Sequence, residues 1–347
     1  MADAAATGTY RAVMVERISA SAREGIEAAV LRPMPRKPTL AGHEVRIEVR
    51  SASLNFPELL LMQNKYQYKP QLPFALTMEG AGVVREVGSK VRGFKPGDRV
   101  FFNWQGAACE ELVVPDAVCY PLPEGYSFSQ GAGFYLGYTT AYHALVHRGH
   151  LKPGEWLLVT GAGGGMGLMA VELGKALGAK VIAAASSDEK LEACKRFGAD
   201  HVVNYSKESL KDAVGKITNG EYCDVIYEPV GGDIFDQCVR CVTPKGYARL
   251  LIIGFASGTI PKFPINMALI KGFDLVGVRM GAQMGLQRNV AQDMMAELLK
   301  MANAGKLKPY VSAEIPVERY KEAFYLLEER KVVGKCCLTF NAASSKL

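Results

Sequence analysis

The 347-residue sequence contains no apolar run that approaches the ~20 residues of a membrane-spanning helix. It also lacks the basic-then-apolar opening of a secretory signal peptide, so we expect neither a membrane span nor secretion. The eight cysteines are scattered, and the C-x-x-C pair Cys238 and Cys241 has no second pair to complete a zinc or redox motif. This usage predicts reduced thiols in an intracellular compartment, with the pair in a protein core.

No basic run with interleaved aromatic residues occurs, although the net charge is +6. The basic residues are dispersed, so nucleic acid is not expected as the main partner. The hydrophobic content of 49% and the charged content of 22% are typical of a soluble globular enzyme. The length suits about two domains.

A glycine-rich segment between two apolar runs is the most informative part of the sequence. Residues 156–160 predict a buried strand, and residues 161–167 contain five glycines. A helical pattern over 168–177 and a second apolar strand over 180–185 follow. This βαβ order is the arrangement that holds a dinucleotide pyrophosphate, because glycines let the backbone and the helix N-terminus approach the phosphates.

The glycine frame reads Ala162-x-Gly164-x-x-Gly167, with alanine in place of the first glycine. The flanking strand, helix and strand supply the context that the motif needs. We therefore predict that the turn binds the cofactor through Ala162, Gly164, Gly165, Met166 and Gly167. The alternative is a turn that only permits tight packing of the helix on the strand.

The pattern of predicted secondary structure changes near residue 137. Residues 10–16, 44–52, 80–87 and 108–115 read as short strands and suggest a barrel-like first domain, with Pro33, Pro35 and Pro38 marking a loop. Beyond residue 137, strands alternate with helices in a doubly wound α/β pattern. The further strands are predicted over 201–204, 224–227, 248–253, 274–278 and 335–340, and the later helices over 289–304 and 317–330.

The final tripeptide, Ser345-Lys346-Leu347, has the form of a receptor-read peroxisomal address. It favours a peroxisome or a related organelle, with the cytoplasm as the alternative location. A chance tripeptide, or a prokaryotic source in which the address has no meaning, is the competing interpretation.

Several short stretches occur in the order found in one family. They are 52–56 (ASLNF), 96–100 (PGDRV), 137–142 (GYTTAY), the glycine turn, 198–200 (GAD), 230–232 (VGG), 254–255 (GF) and 334–335 (GK). The chain thereby resembles the medium-chain dehydrogenase/reductases, and among them the zinc-free quinone oxidoreductases of the zeta-crystallin and quinone oxidoreductase-like type. The resemblance implies an α/β protein with a GroES-like β-barrel catalytic domain, residues 1–136 and 282–347. A Rossmann domain with a doubly wound parallel sheet, residues 137–281, is inserted between them.

The positions of this chain that resemble zinc ligands carry other residues. Asn55 stands where the family's zinc alcohol dehydrogenases have a thiolate, Met78 where they have histidine, and Ala132 where they have the second cysteine. Catalytic zinc needs about three N, O or S ligands and an open position, so no metal is expected. The four-cysteine structural lobe is also missing, because only Cys109 lies in that region.

Without a Lewis acid, the expected reaction is hydride delivery to an acceptor that is already electrophilic. Asn55 and Tyr66 resemble the family's Asn and Tyr beside the nicotinamide. Both are predicted to donate hydrogen bonds to the acceptor oxygen, and Tyr66 also to relay a proton. A role of Tyr66 in shaping the cleft without chemistry is the alternative. Glu58 stands where the family often has Asp, and its role stays open.

The end of the second apolar strand predicts NADPH as the cofactor. An NAD enzyme usually has Asp or Glu there, whereas this chain has Ala185 and Ser186. Ser186 and Lys190 offer a hydroxyl and a cation to a 2′-phosphate, and Tyr205 resembles the family tyrosine of this pocket. A solvated helix lysine is the competing interpretation of Lys190.

Further contacts are implied by the resemblance. They are Thr139 at the nicotinamide and two turns at later strand ends, Val230-Gly231 and Gly254-Phe255. Residues 273–279 resemble the family's dimer-forming edge strand and predict a homodimer.

The sequence thus predicts an NADPH:quinone oxidoreductase. The main alternative is an NADPH-dependent reductase of enones or enoyl thioesters, which shares the cofactor site. A non-catalytic NADPH-binding protein and a side activity in nucleic-acid binding are further hypotheses.

Overall fold

The computed structural model describes residues 8–281 and 286–341, which form parts of two compact units. The first unit is Met1–Tyr135 with Pro309–Leu347, and the second is Leu136–Lys308. The chain passes from the first unit to the second between residues 135 and 136, one residue from the predicted boundary at 136/137. It returns to the first unit between residues 308 and 309, whereas the predicted boundary is 281/282. The predicted boundary borders residues 282–285, which are outside the described residues. Ser345-Lys346-Leu347 is also outside them, so the peroxisomal address stays a prediction.

Residues 286–308, the last part of the second unit, are held in that unit by contacts of their own. The helix Arg288–Asn303 buries Met294, Met295 and Leu298. The Lys308 N–H donates to the Glu172 carboxylate at 3.1 Å, and both residues belong to the second unit. These contacts explain why the compact unit extends to Lys308.

The strands of the first unit are β1 Thr9–Val15, β2 Val30–Pro35, β3 Glu44–Ser53, β4 Phe74–Ala75, β5 Glu79–Val87, β6 Arg99–Asn103, β7 Glu111–Pro115, β8 Cys119–Pro121, β15 Val311–Pro316 and β16 Lys335–Thr339. Those of the second unit are β9 Trp156–Val159, β10 Lys180–Ala185, β11 His201–Asn204, β12 Val225–Glu228, β13 Ala248–Ile252 and β14 Phe273–Gly277. The α-helices that lie wholly within the described residues are Ala22–Ala28, Phe56–Leu61, Phe128–Ala132, Tyr135–Tyr142, Gly165–Ala176, Asp188–Arg196, Leu210–Ile217, Gly232–Val239, Asn266–Lys271, Arg288–Asn303 and Tyr320–Glu328. Short 3₁₀ turns span Asp116–Val118 and Val317–Arg319, and a π-helix spans His143–Arg148.

The second unit contains a six-stranded sheet in the order β11-β10-β9-β12-β13-β14. All neighbouring strands are parallel. The chain runs outward from β9 to β11 on one side and from β12 to β14 on the other, so the strand order reverses between β9 and β12. This is the doubly wound arrangement that the sequence predicts, and ligands of such sheets bind where the order reverses.

The first unit contains two sheets. Strands β2-β1-β4 form one, and β15-β16-β3-β5-β6-β8 form the other, with β7 also paired to β3. Within residues 8–281 and 286–341, no pairing joins the end strands β15 and β8, so the larger sheet is not a closed barrel. Its strands nevertheless come from both ends of the chain, as predicted: β16 pairs antiparallel with β3.

The prediction of a loop at Pro33 and Pro35 is wrong, because both residues lie in strand β2. Among the described strands, β2 pairs only with β1 and is therefore an edge strand. Proline lacks the N–H that a second neighbour would need, so an edge is the position in a sheet that tolerates it.

Each unit has its own apolar core. The first is built around β1, β3 and the helix Tyr320–Glu328, with Val13, Ile47 and Phe324 fully buried. The second lies on the parallel sheet and includes Leu158, Ile182 and Phe235. Cys238 and Cys241 are both buried in this second core, as expected. Within the described residues, no helix combines the length and the apolar content that a membrane span requires.

Candidate functional site

The glycine turn lies at the carboxyl end of β9 and leads into the helix Gly165–Ala176, whose N-cap is Gly164. The helix begins three residues earlier than predicted. A β-carbon at Gly167 would lie 2.3 Å from the Gly161 carbonyl oxygen, so only glycine lets the first helical turn fold back on the strand end. A β-carbon at Gly164, by contrast, would lie 3.5 Å from its nearest neighbour, the Gly161 carbonyl oxygen, which is an ordinary van der Waals distance. The space before the helix N-terminus is therefore suited to a phosphate that approaches the backbone.

Lys190 lies against this turn. A β-carbon at Gly163 would be 2.3 Å from the Lys190 Cβ, so the lysine stem covers the glycine. The helix that carries Lys190, Asp188–Arg196, begins directly after β10 and is capped by the Ser187 hydroxyl. Ser186, between strand and helix, is exposed. The two residues predicted for a 2′-phosphate are thus held at one end of β10.

The acidic residue nearest to this position is already paired. The Asp188 carboxylate accepts hydrogen bonds from the Asn204 amide at 2.7 Å and from the Lys207 ammonium at 2.5 Å. The Lys207 contact is the main cause that lowers the pKa of Asp188. The Tyr205 N–H donates to the Ala185 carbonyl at 3.2 Å, which places Tyr205 beside the end of β10. Asp188 and Glu189 occupy the first turn of their helix, as predicted.

The two later turns meet beside the glycine turn. The N–H groups of Ala256 and Ser257 donate to the carbonyls of Pro229 and Val230, at 3.0 and 2.8 Å. This joins the Gly254-Phe255 segment to the Val230-Gly231 turn. Gly231 has a φ of 73°, and its β-carbon would lie 3.0 Å from the Phe255 ring.

The glycine turn itself touches the same group of residues. A β-carbon at Gly161 would lie 3.0 Å from the Val230 side chain. The structure therefore brings three of the predicted cofactor segments together, at the ends of β9, β12 and β13. Thr139 is fully buried in the helix Tyr135–Tyr142 of the same unit.

Glu228, the last residue of β12, is a residue of this region that the sequence did not indicate. Its carboxylate is fully buried and accepts hydrogen bonds from the N–H groups of Val230 and Gly231, at 2.7 and 3.0 Å. It also accepts one from the Thr160 hydroxyl at 3.2 Å. Burial raises its pKa. Glu228 thus connects the end of β9 to the turn after β12, at the point where the strand order reverses.

A second polar cluster lies inside the first unit. Asn55, at the start of the helix Phe56–Leu61, is 7% exposed. Its Nδ2 donates to Glu79 Oε1 at 2.9 Å, and its Oδ1 accepts from the Lys335 ammonium at 2.7 Å. Lys335 and Glu79 form an ion pair at 2.8 Å and are 3% and 0% exposed. The other Nδ2 hydrogen of Asn55 faces the Ser53 carbonyl at 3.4 Å.

Glu58 completes this cluster. It is fully buried, and its Oε2 accepts the Asn55 backbone N–H at 2.7 Å, which caps the helix. Its Oε1 is buried and has no hydrogen-bond partner from another of the described residues. Burial raises the pKa of Glu58 to about 8; the nearby Glu79 charge adds to the increase and Lys335 opposes it.

Tyr66 is half-buried against the core of the first unit, whereas Tyr68 is 53% exposed. Burial raises the pKa of Tyr66, and the neighbouring Glu58 carboxyl raises it further. The phenol is therefore held in its protonated, hydrogen-bond-donating form. The two tyrosines, two residues apart in the sequence, thus differ in their burial.

The other positions that resemble zinc ligands carry no donor suited to zinc. Met78 precedes β5, and Ala132 ends the helix Phe128–Ala132. Among residues 8–281 and 286–341, no group of three or more His, Cys, Asp or Glu side chains is arranged to hold a metal ion.

The sequence indicated Asn55 but not its charged neighbours, Glu79 and Lys335. Lys335 lies in one of the stretches that carry the family resemblance and Glu79 directly follows Met78, yet nothing in their spacing relates either residue to Asn55. Lys335 is 280 positions away from it. A charged residue directly before an apolar run, at the first position of strands β5 and β16, was the available signal, because an unpaired charge is not expected inside a sheet.

Comparisons with known proteins agree with this architecture. Residues 41–152 match the family model described as "Alcohol dehydrogenase GroES-like domain", and residues 165–301 match the model described as "Zinc-binding dehydrogenase". The chain is 38% identical to the quinone oxidoreductase-like protein 2 homolog of Nematostella vectensis, over 94% of this chain and 88% of that protein. It is 31% identical to the human quinone oxidoreductase, over 86% of this chain and 89% of that protein.

A solved structure shares the fold. The Escherichia coli quinone oxidoreductase complexed with NADPH superposes with a TM-score of 0.82 and 28% identity, over 95% of this chain and all of that chain. The α/β fold with a GroES-like unit and a Rossmann-type sheet is therefore confirmed. The chain belongs to the quinone oxidoreductase-like family of the medium-chain dehydrogenase/reductases, which are oxidoreductases that use a pyridine nucleotide.

Proposed function

We propose that the protein is an NADPH:quinone oxidoreductase that delivers hydride without zinc. The observation that carries the proposal is the convergence of the glycine turn, the Val230-Gly231 turn and Lys190 at the carboxyl edge of one parallel sheet. Such an edge, where the strand order reverses, is the place at which doubly wound sheets hold dinucleotides. The second unit thus carries the nucleotide groups, and the first unit carries those assigned to the acceptor.

The preference for NADPH is supported by the charges at the end of β10. A 2′-phosphate there would meet the exposed Ser186 hydroxyl and Lys190, whose stem is fixed against Gly163. Asp188 would repel a phosphate, but its carboxylate is paired with Lys207 and Asn204. These contacts neutralise the Asp188 carboxylate, so that it opposes a bound 2′-phosphate less.

The acceptor is assigned to a quinone because the first unit offers hydrogen-bond donors and no metal ligands at Asn55, Met78 and Ala132. A quinone needs a hydride and a proton but no Lewis acid. The hydroxyl of the half-buried Tyr66 and the amide of Asn55 are the proposed donors to the acceptor oxygen. In the alternative, an NADPH-dependent reductase of enones or enoyl thioesters, the same Tyr66 would supply the proton to carbon.

Steady-state oxidation of NADPH and NADH with ortho- and para-quinones, enones and an enoyl-CoA tests this proposal. Quinone-dependent consumption of NADPH well above the enone rate is expected. Turnover with the enones or the thioester alone would move the protein to the alkene reductases. NADPH binding without turnover of any acceptor would favour a non-catalytic role, and a strongly salt-dependent association with RNA would support nucleic-acid binding.

We also propose that the protein is a homodimer formed through the second unit. Strand β14 is an end strand of the parallel sheet, so one of its edges has no partner strand within the described chain. The preceding helix, Asn266–Lys271, exposes Leu269 and Ile270 at 84% and 69%, and its N-cap residue Ile265 is 76% exposed. Pairing of β14 with its copy across a two-fold axis would cover both the strand edge and these apolar side chains.

A further inference from the structure

We propose that the buried ion pair of Lys335 and Glu79 is a positioning device that sets the side-chain amide of Asn55 and strengthens it as a donor to the acceptor. The proposal rests on the oxidoreductase function described above. Neither charged residue is assigned a contact with substrate or cofactor. Both act through Asn55.

The pair recognises the two ends of the amide separately. An ammonium group offers only donors and a carboxylate offers only acceptors. The Lys335 ammonium lies at Asn55 Oδ1, at 2.7 Å, and the Glu79 carboxylate lies at Nδ2, at 2.9 Å. A flipped amide would place its NH₂ group against the ammonium and its oxygen against the carboxylate. One orientation of Asn55 is therefore strongly favoured.

The lysine side chain is itself held in place. Its Cγ and Cε would each lie 3.3 Å from a β-carbon at Gly133, so its stem lies close to the Gly133 backbone. Its Nζ also approaches the Leu54 carbonyl, at 3.5 Å. A long, flexible side chain is thus reduced to a fixed cation, which is the condition for preorganised electrostatics.

Stability alone does not account for this pair. Burial of two charges removes their hydration, and well-packed apolar residues of similar volume are often equal or better for stability. At 3% and 0% exposure, Lys335 and Glu79 carry that cost in full. A positive charge at 2.7 Å from the amide oxygen draws electron density from the nitrogen and makes its hydrogens better donors.

One hydrogen of the amide remains for the acceptor. The first is directed at Glu79, and the second faces the Ser53 carbonyl at 3.4 Å, a long and weak hydrogen bond. An acceptor oxygen that gains negative charge during hydride transfer would compete well for the second hydrogen. The geometry thus replaces the Lewis acid of the zinc enzymes by an amide donor with a buried cation behind it.

The decisive variant is the double substitution Lys335→Met with Glu79→Gln, because it removes both charges and leaves neither buried charge unpaired. The matched control is Arg46→Met with Glu111→Gln. This control removes another ion pair of the same unit, at 2.7 Å, with both side chains 11% exposed; the charges that also contact this pair, Glu86 and Arg36, are 53% and 43% exposed and stay solvated. We expect kcat with the preferred acceptor to fall about tenfold to a hundredfold in the first variant. KM and the Kd for NADPH should change less than about twofold, and the control should keep the wild-type kcat.

A double-mutant cycle tests whether the effect passes through Asn55. In an Asn55→Ala background, the Lys335→Met/Glu79→Gln substitutions should lower kcat no further, because the group that they position is absent. A wild-type kcat in the double variant, or an additive loss in the Asn55→Ala background, would overturn the proposal. If the double variant does not fold, Lys335→Arg keeps the charge but replaces the point-like ammonium by a planar fork. An unchanged kcat in the Lys335→Arg variant would also overturn the proposal.

A crystal structure of the double variant separates this proposal from the proposed function. Displacement or rotation of the Asn55 side chain is expected, whether or not an acceptor has been identified. If the wild-type protein reduces none of the acceptors, the proposed function fails, yet the position of Asn55 still decides the positioning role. An Asn55 side chain that keeps its place without the ion pair refutes it.

Discussion

The stem of Lys190 lies directly over Gly163, where a β-carbon would come within 2.3 Å of the lysine Cβ. The absence of a side chain at Gly163 therefore allows the helix Asp188–Arg196 to approach the glycine turn. A cation is thereby brought next to a turn whose backbone N–H groups suit phosphate. The relationship joins the two halves of the predicted nucleotide site.

Replacement of Lys190 by alanine should raise KM for NADPH about tenfold while KM for NADH changes little, because only NADPH has the 2′-phosphate that a charge-assisted hydrogen bond would hold. Lys195→Ala is the matched control, since Lys195 lies on the same helix, is 52% exposed and pairs with Glu192. Steady-state kinetics with both nucleotides provide the measurement. Equal effects on NADPH and NADH would remove Lys190 from the phosphate site.

Two glycines of the turn should respond differently to alanine. Gly167→Ala places a β-carbon 2.3 Å from a backbone oxygen, so we expect a loss of about 1–3 kcal/mol in the free energy of unfolding. Gly164→Ala meets only ordinary contact at 3.5 Å and should keep the wild-type stability. Its methyl group would nevertheless enter the space assigned to the pyrophosphate and weaken NADPH binding. Thermal unfolding and nucleotide fluorescence titration separate the two effects, and a Gly164→Ala protein with normal affinity would contradict the assignment.

The stability of the protein should contain a contribution from Glu58 that falls as pH rises. The pKa of Glu58 is raised to about 8 in the folded state, against about 4.3 for an unfolded glutamate. Between these values the folded state keeps a proton that the unfolded state loses. The free energy of unfolding therefore decreases with pH, by at most about 1.4 kcal/mol per pH unit, and this contribution levels off above the folded pKa.

Glu58→Gln removes this titration, so its stability relative to wild type should increase from about pH 5 to about pH 8. Urea unfolding at a series of pH values measures the difference. Glu124→Gln, at an exposed position of the same unit, is the control and should follow the wild-type curve. Parallel curves for wild type and Glu58→Gln would show that the buried carboxyl does not titrate as described.

The purified protein should contain well below one equivalent of zinc, and a chelator should leave its turnover unchanged. Part of the chain matches a family model described as zinc-binding dehydrogenase, so the metal content is a direct test of the prediction from Asn55, Met78 and Ala132. Elemental analysis gives the stoichiometry. One zinc per chain, with activity lost on chelation, would contradict it.

Leu269→Asp with Ile270→Asp should convert the proposed dimer to a monomer, because each exposed apolar side chain would be replaced by a charge inside the interface. Light scattering coupled to gel filtration gives the mass. Ile18→Asp, at an apolar position 40% exposed in the other unit, is the control. A wild-type monomer, or a dimer that survives both aspartates, would exclude this interface.

Much of the second unit was predictable because its signals are local. The predicted strands at 180–185 and 201–204 coincide with β10 and β11, and the others differ by one residue at one or both ends. Buried parallel strands read as short apolar runs with turns between them, so their limits appear in the sequence. The helix after the glycine turn was the exception, since glycine weakens a helical pattern even where a close approach requires it.

The first unit was less predictable. The proline-containing edge strand β2 was assigned to a loop, because its place at a sheet edge depends on which strand becomes its neighbour. Likewise, the barrel that the family resemblance implied is an unclosed sheet among the described strands. Pairing partners at large sequence distance leave no periodicity that a single sequence reveals.

The sequence by itself determined the glycine turn, the absence of zinc-type ligands at Asn55, Met78 and Ala132, and the residues at the end of β10, because each depends on residue type and short spacing. Only the tertiary structure decided that Lys190 lies over Gly163 and that Glu228 joins two strand ends. It alone placed Lys335 against Asn55, 280 positions away. Those contacts form only when strands that are separated along the chain have paired. A buried charge therefore contacts its partner only after that pairing is complete.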